Sequence, residues 1–246
     1  MTDSTLSPVA DSEGIIVEGY TSRNLCYSGG MKWPAAFLLT TASTAALACG
    51  QPVCLVDPES LTLTRIITFE DVRSGAGPGY NLDEVLSLPG ASFGERFAGQ
   101  VTMANGTHDR IFGTATGPLT MLPGAAGQNL SVVHFGGQTV LNGYGAAGFP
   151  RREGQGEGAI AVLFDDDQSA LAFDLRGGET GAALVSFFDR SGGSLGDVPV
   201  EPTGEFAVGF LRSTGAADIA GFIITNTDPQ GLAIDTLRFG KPPDLS

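Results

Sequence analysis

Lysine is all but missing from this chain. It occurs twice in 246 residues, at Lys32 and Lys241, against eleven arginines and 27 acidic side chains, for a net charge of −14. A phosphate backbone or an anionic lipid surface has to be met by clustered cations, so this balance excludes nucleic acid and anionic membrane as partners. Tryptophan occurs once, at Trp33, and histidine twice, at His108 and His134. There is no H-E-x-x-H zinc motif and no G-x-S-x-G nucleophile elbow. No apolar stripe at i, i+3, i+4 persists for a dozen positions, which removes a helical bundle. No run of about 20 apolar residues offers a transmembrane segment.

The stretch MKWPAAFLLTTASTAALACG starts at Met31, well inside the chain. Lys32, the apolar run from Trp33 to Leu47 and the small-x-small ending Ala46-Leu47-Ala48 are the three parts of a secretory signal peptide. Residues 1–30 are then an N-terminal extension ahead of Met31 as initiator, residues 31–48 the leader, and Cys49 the first residue of a secreted or periplasmic chain. That chain keeps 11 basic and 23 acidic side chains, a net of −12, with Lys241 its last lysine. A lipobox carries Leu and then a small residue before Gly or Ala and Cys, whereas Ala46 and Leu47 stand in the reverse order. Ordinary cleavage is therefore expected, with lipidation of Cys49 as the alternative. An exported chain opening CGQPVC can join Cys49 to Cys54 in an oxidising compartment, or leave two free thiols in a short, strained loop.

From Arg65 onward, short apolar runs alternate with glycine-rich turns. RIITFEDV, DRIFGTAT, NLSVVHFG, GAIAVLF, SALAFDL, AALVSFFD, EFAVGFLR, IAGFIITN and GLAIDTLRF read as nine strands. The expectation is an all-β fold, an antiparallel two-sheet β-sandwich over residues 65–240, with residues 49–64 a lead-in and 241–246 a short tail. The stretch GGQTVLNGYGAAGFPRREGQGEG reads as a long mobile loop, where a sandwich commonly meets its ligand. Asp228-Pro229-Gln230-Gly231 has Asp at i, Pro at i+1 and Gly at i+3 of a type I turn, and predicts a hairpin of 219–225 with 232–239. His134, inside an apolar strand, is expected to be a hydrogen-bonded core residue, and His108 to sit in a turn. The acidic run Asp165, Asp166, Asp167 lacks the glycine and terminal glutamate of an EF-hand loop and reads as solvated.

Asp235 shares parity with Leu237 and Phe239, and Asp71 with Ile67 and Phe69. A carboxylate on an apolar, inward face needs a partner or a metal. First and last strands of a sandwich often pair, which would gather Glu70, Asp71 and Asp235, and hard oxygen ligands of this kind suit calcium.

The segments GEGAIAVLFDDDQSALAFDLRGG, VSFFDRSGGSLG and GFIITNTDPQGLAIDTLRF resemble bacterial secreted β-sandwich domains of the kind found in PEP-CTERM-type exported proteins. Those are broadly similar to galactose-binding-like, jelly-roll carbohydrate-binding modules. The likeness covers about 80 residues well and the first half loosely. It implies a structural calcium held near the first and last strands, at Glu70 or Asp71 and at Asp235, and a polysaccharide or cell-surface glycan as ligand. The ending FGKPPDLS has no hydrophobic tail with a basic anchor, so covalent surface sorting is not implied.

Sugar platforms use aromatic faces. After loss of Trp33 and the leader, Tyr80 and Tyr144 are the broad candidates, and Tyr144 with Phe149, Arg151 and Arg152 forms the densest cluster of aromatic and donor groups. An ordinary loop has the same composition. Two function classes remain, a glycan-binding module and a structural or adhesive domain without a small ligand. A polysaccharide-active enzyme is third, because no acid–base or nucleophile constellation stands out.

Overall fold

A computed structural model of the protein describes residues 49–178 and 180–241. Residues 1–48, which include the stretches read as an extension and a leader, and residues from 242 lie outside the described residues. Among those described, eighteen strands and two short 3-10 turns are found, and no helix is long and apolar enough to cross a membrane. In chain order the strands are β1 (Val53–Val56), β2 (Arg65–Ile67), β3 (Tyr80–Leu82), β4 (Leu86–Leu88), β5 (Ala91–Gly94) and β6 (Arg96–Phe97). There follow β7 (Val101–Asn105), β8 (His108–Phe112), β9 (Met121–Leu122), β10 (Leu130–Phe135), β11 (Gln138–Gly143) and β12 (Ile160–Gln168). The last six are β13 (Ala170–Gly177), β14 (Ala183–Phe188), β15 (Ser194–Val200), β16 (Glu205–Arg212), β17 (Ile219–Asn226) and β18 (Leu232–Phe239).

Two antiparallel sheets pack face to face. Sheet A runs β1-β16-β13-β18-β11-β10-β3, with β2 also paired to β18, and sheet B runs β15-β14-β17-β12-β5-β4. The nine runs read from the sequence all carry strands, and the expected pairing of first and last runs is present, Ile67 opposite Leu237 and Arg65 opposite Phe239. The sandwich begins earlier than Arg65, because β1 pairs with β16 from Val53 opposite Arg212. Its inner layer is phenylalanine. Phe173 and Phe210 of sheet A meet Phe222 and Phe187 of sheet B, and Phe164 meets both Phe222 and Phe239, with ring centroids 5.1 to 6.0 Å apart. All six rings are buried.

Three local expectations are corrected. The turn at Asp228–Gly231 forms, closed by the Gly231 amide donating to the Asp228 carbonyl at 3.0 Å. Its flanking strands are not a hairpin, however, because β17 pairs in sheet B and β18 in sheet A. Apolar side chains line β17 on both faces, so it lies centrally in its own sheet and the chain crosses the core edge at the turn. The stretch read as one long loop opens with β11, which pairs with β10 through the two-residue link Gly136-Gly137. Both glycines have positive φ, 61° and 84°, as the tight two-residue hairpin turn requires. The third correction is at Asp235. A bulge puts Thr236 at φ 34°, its amide donating to Asp235 Oδ1 at 2.7 Å, and the register of β18 on β13 slips there. The extra residue reverses the alternation, so Ile234, Leu237 and Phe239 all point into the core while Asp235 turns to the outer face.

Between β5 and β10 the chain leaves the sandwich and lies across the outer face of sheet B as a partial third layer, made of β6 with β9 and the hairpin β7–β8. Phe97, Leu119 and Met121 from this excursion pack on Ala159, Ala161, Ala220 and Ile223 in a second apolar cluster. Small side chains on the sheet let the covering chain approach closely.

Phe222→Ala removes a ring that touches three others and should cost about 3–5 kcal/mol in denaturant unfolding. Phe135 is 81% exposed at the β10–β11 turn, and Phe135→Ala should change stability by no more than about 0.5 kcal/mol.

Candidate functional site

The covering excursion shields only part of sheet B, and beside it lies an open cleft of about 660 Å³. Its floor is built from cross-strand rows of the outer face. Pro199 of β15, Leu184 of β14 and Thr225 of β17 stand opposite one another in one row, and Asp197, Ser186 and Ile223 in the next. The hairpin β7–β8 forms the wall, with Arg110, Ile111 and Phe112 facing the same space. Leu184 and Phe112 are 40% and 46% exposed, so the cleft offers apolar contact beside hydroxyl, carboxylate and guanidinium groups.

His108 and Asp109 of the cleft lining lead into a polar cluster around the buried Glu157. His108 Nε2 lies 2.8 Å from Glu157 Oε2 and 2.9 Å from the Asp228 carbonyl oxygen, and Thr107 Oγ1 donates to Glu157 Oε2 at 2.7 Å. The expectation for the two histidines is thus reversed. His134 is exposed, beside Thr139 Oγ1 at 3.0 Å, and His108 is the inward one. Next to it Asp109 accepts from the Ala159 amide at 3.3 Å, while its own amide donates to Glu157 O at 3.0 Å. Burial, with the Glu95 carboxylate as a second contributor, pushes the Asp109 carboxyl up to about 7. Glu95 itself is held by Arg96 and by Thr102 Oγ1 at 2.7 Å.

Of the residues singled out from the sequence, the structure brings few together. Tyr144 is fully buried, donates its hydroxyl to the Arg151 carbonyl at 2.9 Å and meets Phe149 edge-on at 5.5 Å. It is part of the scaffold of its loop, not a ligand platform. The face of Tyr80 is covered by Arg73, 4.3 Å from the ring centre. Arg151 is exposed, and Arg152 lines a separate polar cavity on sheet A.

Glu70, Asp71 and Asp235 do not form a shared site. Strand β2 ends at Ile67 and a turn follows, leaving Glu70 and Asp71 exposed. Glu70 accepts from the Thr139 hydroxyl at 2.8 Å and amide at 2.9 Å, which lower its carboxyl below the usual range. Asp235 accepts from Thr236 and faces Arg176 Nη2 at 3.6 Å. The charged neighbour of Asp235 is thus a guanidinium, and among the described residues no group of three or more His, Cys, Asp or Glu is arranged to hold a metal ion. Asp165 and Asp166 are exposed as expected, whereas Asp167 pairs with Arg190 at 2.6 Å. Cys49 and Cys54 are disulfide-bonded, with Cα atoms 5.8 Å apart.

No protein-family model and no curated protein matches this chain. The sequence did hold one signal for the buried polar cluster, the Asn105-Gly106 turn immediately ahead of His108 and Asp109, but nothing local indicated that β8 would be laid against β17.

The folded Asp109 carboxyl keeps its proton up to about 7 and the unfolded one only to 3.8, so between those values the folded state binds more protons. Its contribution to stability is complete below that window and is lost as pH rises through it. Asp109→Asn keeps an acceptor for Ala159 and cannot ionise. Relative to this variant, the wild type should lose up to about 4 kcal/mol between about pH 4 and pH 8, measured by urea unfolding. Parallel pH profiles would remove the buried-acid assignment.

Proposed function

We propose that the protein is an exported glycan-binding module that holds an oligosaccharide in the cleft on the outer face of sheet B. The observation that carries this reading is the composition of the cleft floor, where Leu184 and Pro199 alternate with Ser186, Thr225 and Asp197 and Phe112 stands at the side. A pyranose has an apolar C–H face and a polar rim, and such a floor supplies the complement of both. Support for export comes from the leader-like sequence and from the Cys49–Cys54 pairing, a bond that persists in oxidising compartments. A lipidated Cys49 could not make it. Any calcium implied by the family resemblance would need ligands other than Glu70, Asp71 and Asp235.

One observation favours the second reading, a structural or adhesive domain. Val101, Met103 and Phe112 are exposed together on one face of the hairpin β7–β8, with Val101 opposite Phe112. Exposed apolar patches of this kind often mark protein contacts.

A glycan array probed with the exported protein, followed by calorimetry on the retained sugars, separates the two. Ser186→Arg fills the floor without touching the core, and Phe112→Ala removes the side wall; each should weaken binding about tenfold or more, with unfolding midpoints little changed. An array without retained glycan, or binding indifferent to both substitutions, would sink the glycan reading. Mass spectrometry of the secreted chain under non-reducing conditions should recover an N-terminal peptide with Cys49 bonded to Cys54 and no acyl group.

A further inference from the structure

The outer face of sheet A carries a row of side chains that no single segment of the sequence shows. Asn81 of β3 stands opposite Ser131 of β10, Ser131 opposite Asn142 of β11, Asn142 opposite Ala233 of β18, Ala233 opposite Arg176 of β13, and Arg176 opposite Glu205 of β16. Five polar residues thus cross six strands in register. Among the described residues, five buried side-chain nitrogen or oxygen atoms have no hydrogen-bond partner within the protein, and four lie on this row: Asn81 Oδ1, Ser131 Oγ, Asn142 Nδ2 and Arg176 Nε. Native structures pair nearly all such atoms, so their concentration on one row calls for an explanation.

The row opens into a cavity of about 410 Å³ at Asn142 and Arg176, bordered by Arg152, Gln155, Gln230 and Glu205. Asn142 is only 6% exposed and lines it directly. Both unpartnered atoms there are donors. Asp235 faces Arg176 Nη2 at 3.6 Å and Glu205 faces Nη1 at 3.8 Å, both beyond hydrogen-bonding distance, while Nε on the remaining edge has no acceptor. A carboxylate is acceptor-only and presents two oxygens, one for Arg176 Nε and one for Asn142 Nδ2. The charged lining residues are Arg152, Arg176 and Glu205, and Asp235 stands beside Arg176 as well, so it is the two donors and not a net charge that call for an acceptor.

We infer that this cavity is a binding site for the carboxylate of an acidic sugar, a uronate. The sugar part rests on the glycan reading above, whereas the carboxylate part rests on the donors alone. The site is distinct from the sheet B cleft, since the two lie on the outer faces of opposite sheets. They flank the same connection, Asn226 and Thr227 lining the cleft and Gln230 to Ala233 the cavity.

The test is titration of the full exported chain with glucuronate and with a galacturonate oligomer, followed by chemical-shift changes and calorimetry, with glucose and acetate as controls. Uronates should bind and glucose should not. Asn142→Ala and Arg176→Lys should each weaken uronate binding about tenfold to a hundredfold, the loss expected of one hydrogen bond to a charged group. Arg176→Lys keeps a cation beside Asp235 while replacing the forked guanidinium, Nε included, with a single ammonium, so it tests the assignment even where a neutral substitution perturbs the fold. Phe135→Ala, exposed at the β10–β11 turn and lining neither cavity, should leave uronate binding unchanged. Failure of uronates to bind, equal binding of glucose, or indifference to both substitutions would overturn the inference. Acetate competing as strongly as glucuronate would overturn the sugar assignment. A positive glycan array with no uronate binding would overturn this inference alone and leave the sheet B reading in place.

Discussion

The layer of phenylalanine rings between the sheets is the constraint on which the remainder depends. Phe164, Phe173, Phe187, Phe210, Phe222 and Phe239 are each at most 1% exposed and touch across the gap. A strand alternates its side chains with a period of two, so fixing one large ring inward fixes every other residue of that strand, and a slip by one position would expose the whole apolar set. The interior is thereby committed to packing, and polar chemistry is left to the two outer faces. Which residues reach those faces follows from the same parity: Ser186 faces outward because Val185 and Phe187 face inward, and Arg176 because Leu175 does.

A second constraint holds the end of the sandwich where both clefts lie. Asp228 is completely buried. Its Oδ2 accepts from the Gly178 amide and the Thr203 hydroxyl, each at 2.6 Å, and its Oδ1 from the Gln230 amide at 2.9 Å. Its carbonyl accepts from Gly231 and lies against His108. A buried carboxylate is tolerated when its lone pairs are filled in this way. One residue therefore ties the end of β13, the link from β15 to β16, the crossover from β17 to β18 and the turn end of the β7–β8 hairpin. The cleft wall and the sheet A cavity are positioned from the same point.

Most of the sandwich was legible from the sequence because its long strands carry clear apolar periodicity between glycine turns. The parts that were not legible have identifiable physical causes. Strands β6 and β9 are two residues each, too short for any period to register, yet they fasten the layer over sheet B. The turn at Asp228 obeys its local chemistry, but turn chemistry does not say whether the next strand rejoins its own sheet or the opposite one. The bulge at Thr236 inverted the reading of Asp235 because β-branched residues rarely take positive φ and threonine gives no warning of it. Tyr144 looked available because it sits among glycines. Those glycines allow close backbone approach, and that approach buries the ring.

The candidate sites were illegible for a different reason. Each is a row across a sheet, and a row draws one residue from each of several strands. Asn81, Ser131, Asn142, Arg176 and Glu205 are spread over more than half the chain and become neighbours only when five pairings are in register. Sequence clustering instead favoured Tyr144, Phe149, Arg151 and Arg152, which share one loop, and of these Arg152 lines the sheet A cavity while neither cavity described is lined by the other three. The chemical scarcity of the sequence points the same way. Lysine is nearly absent, and Arg65, Arg96, Arg176, Arg190, Arg212 and Arg238 each lie against a carboxylate. Arg96 and Arg176 both lie close to an acid yet keep a buried Nε without a partner. Of the two, Arg176 is the one that lines the sheet A cavity, and an unmet donor beside open space marks where an outside group can be received.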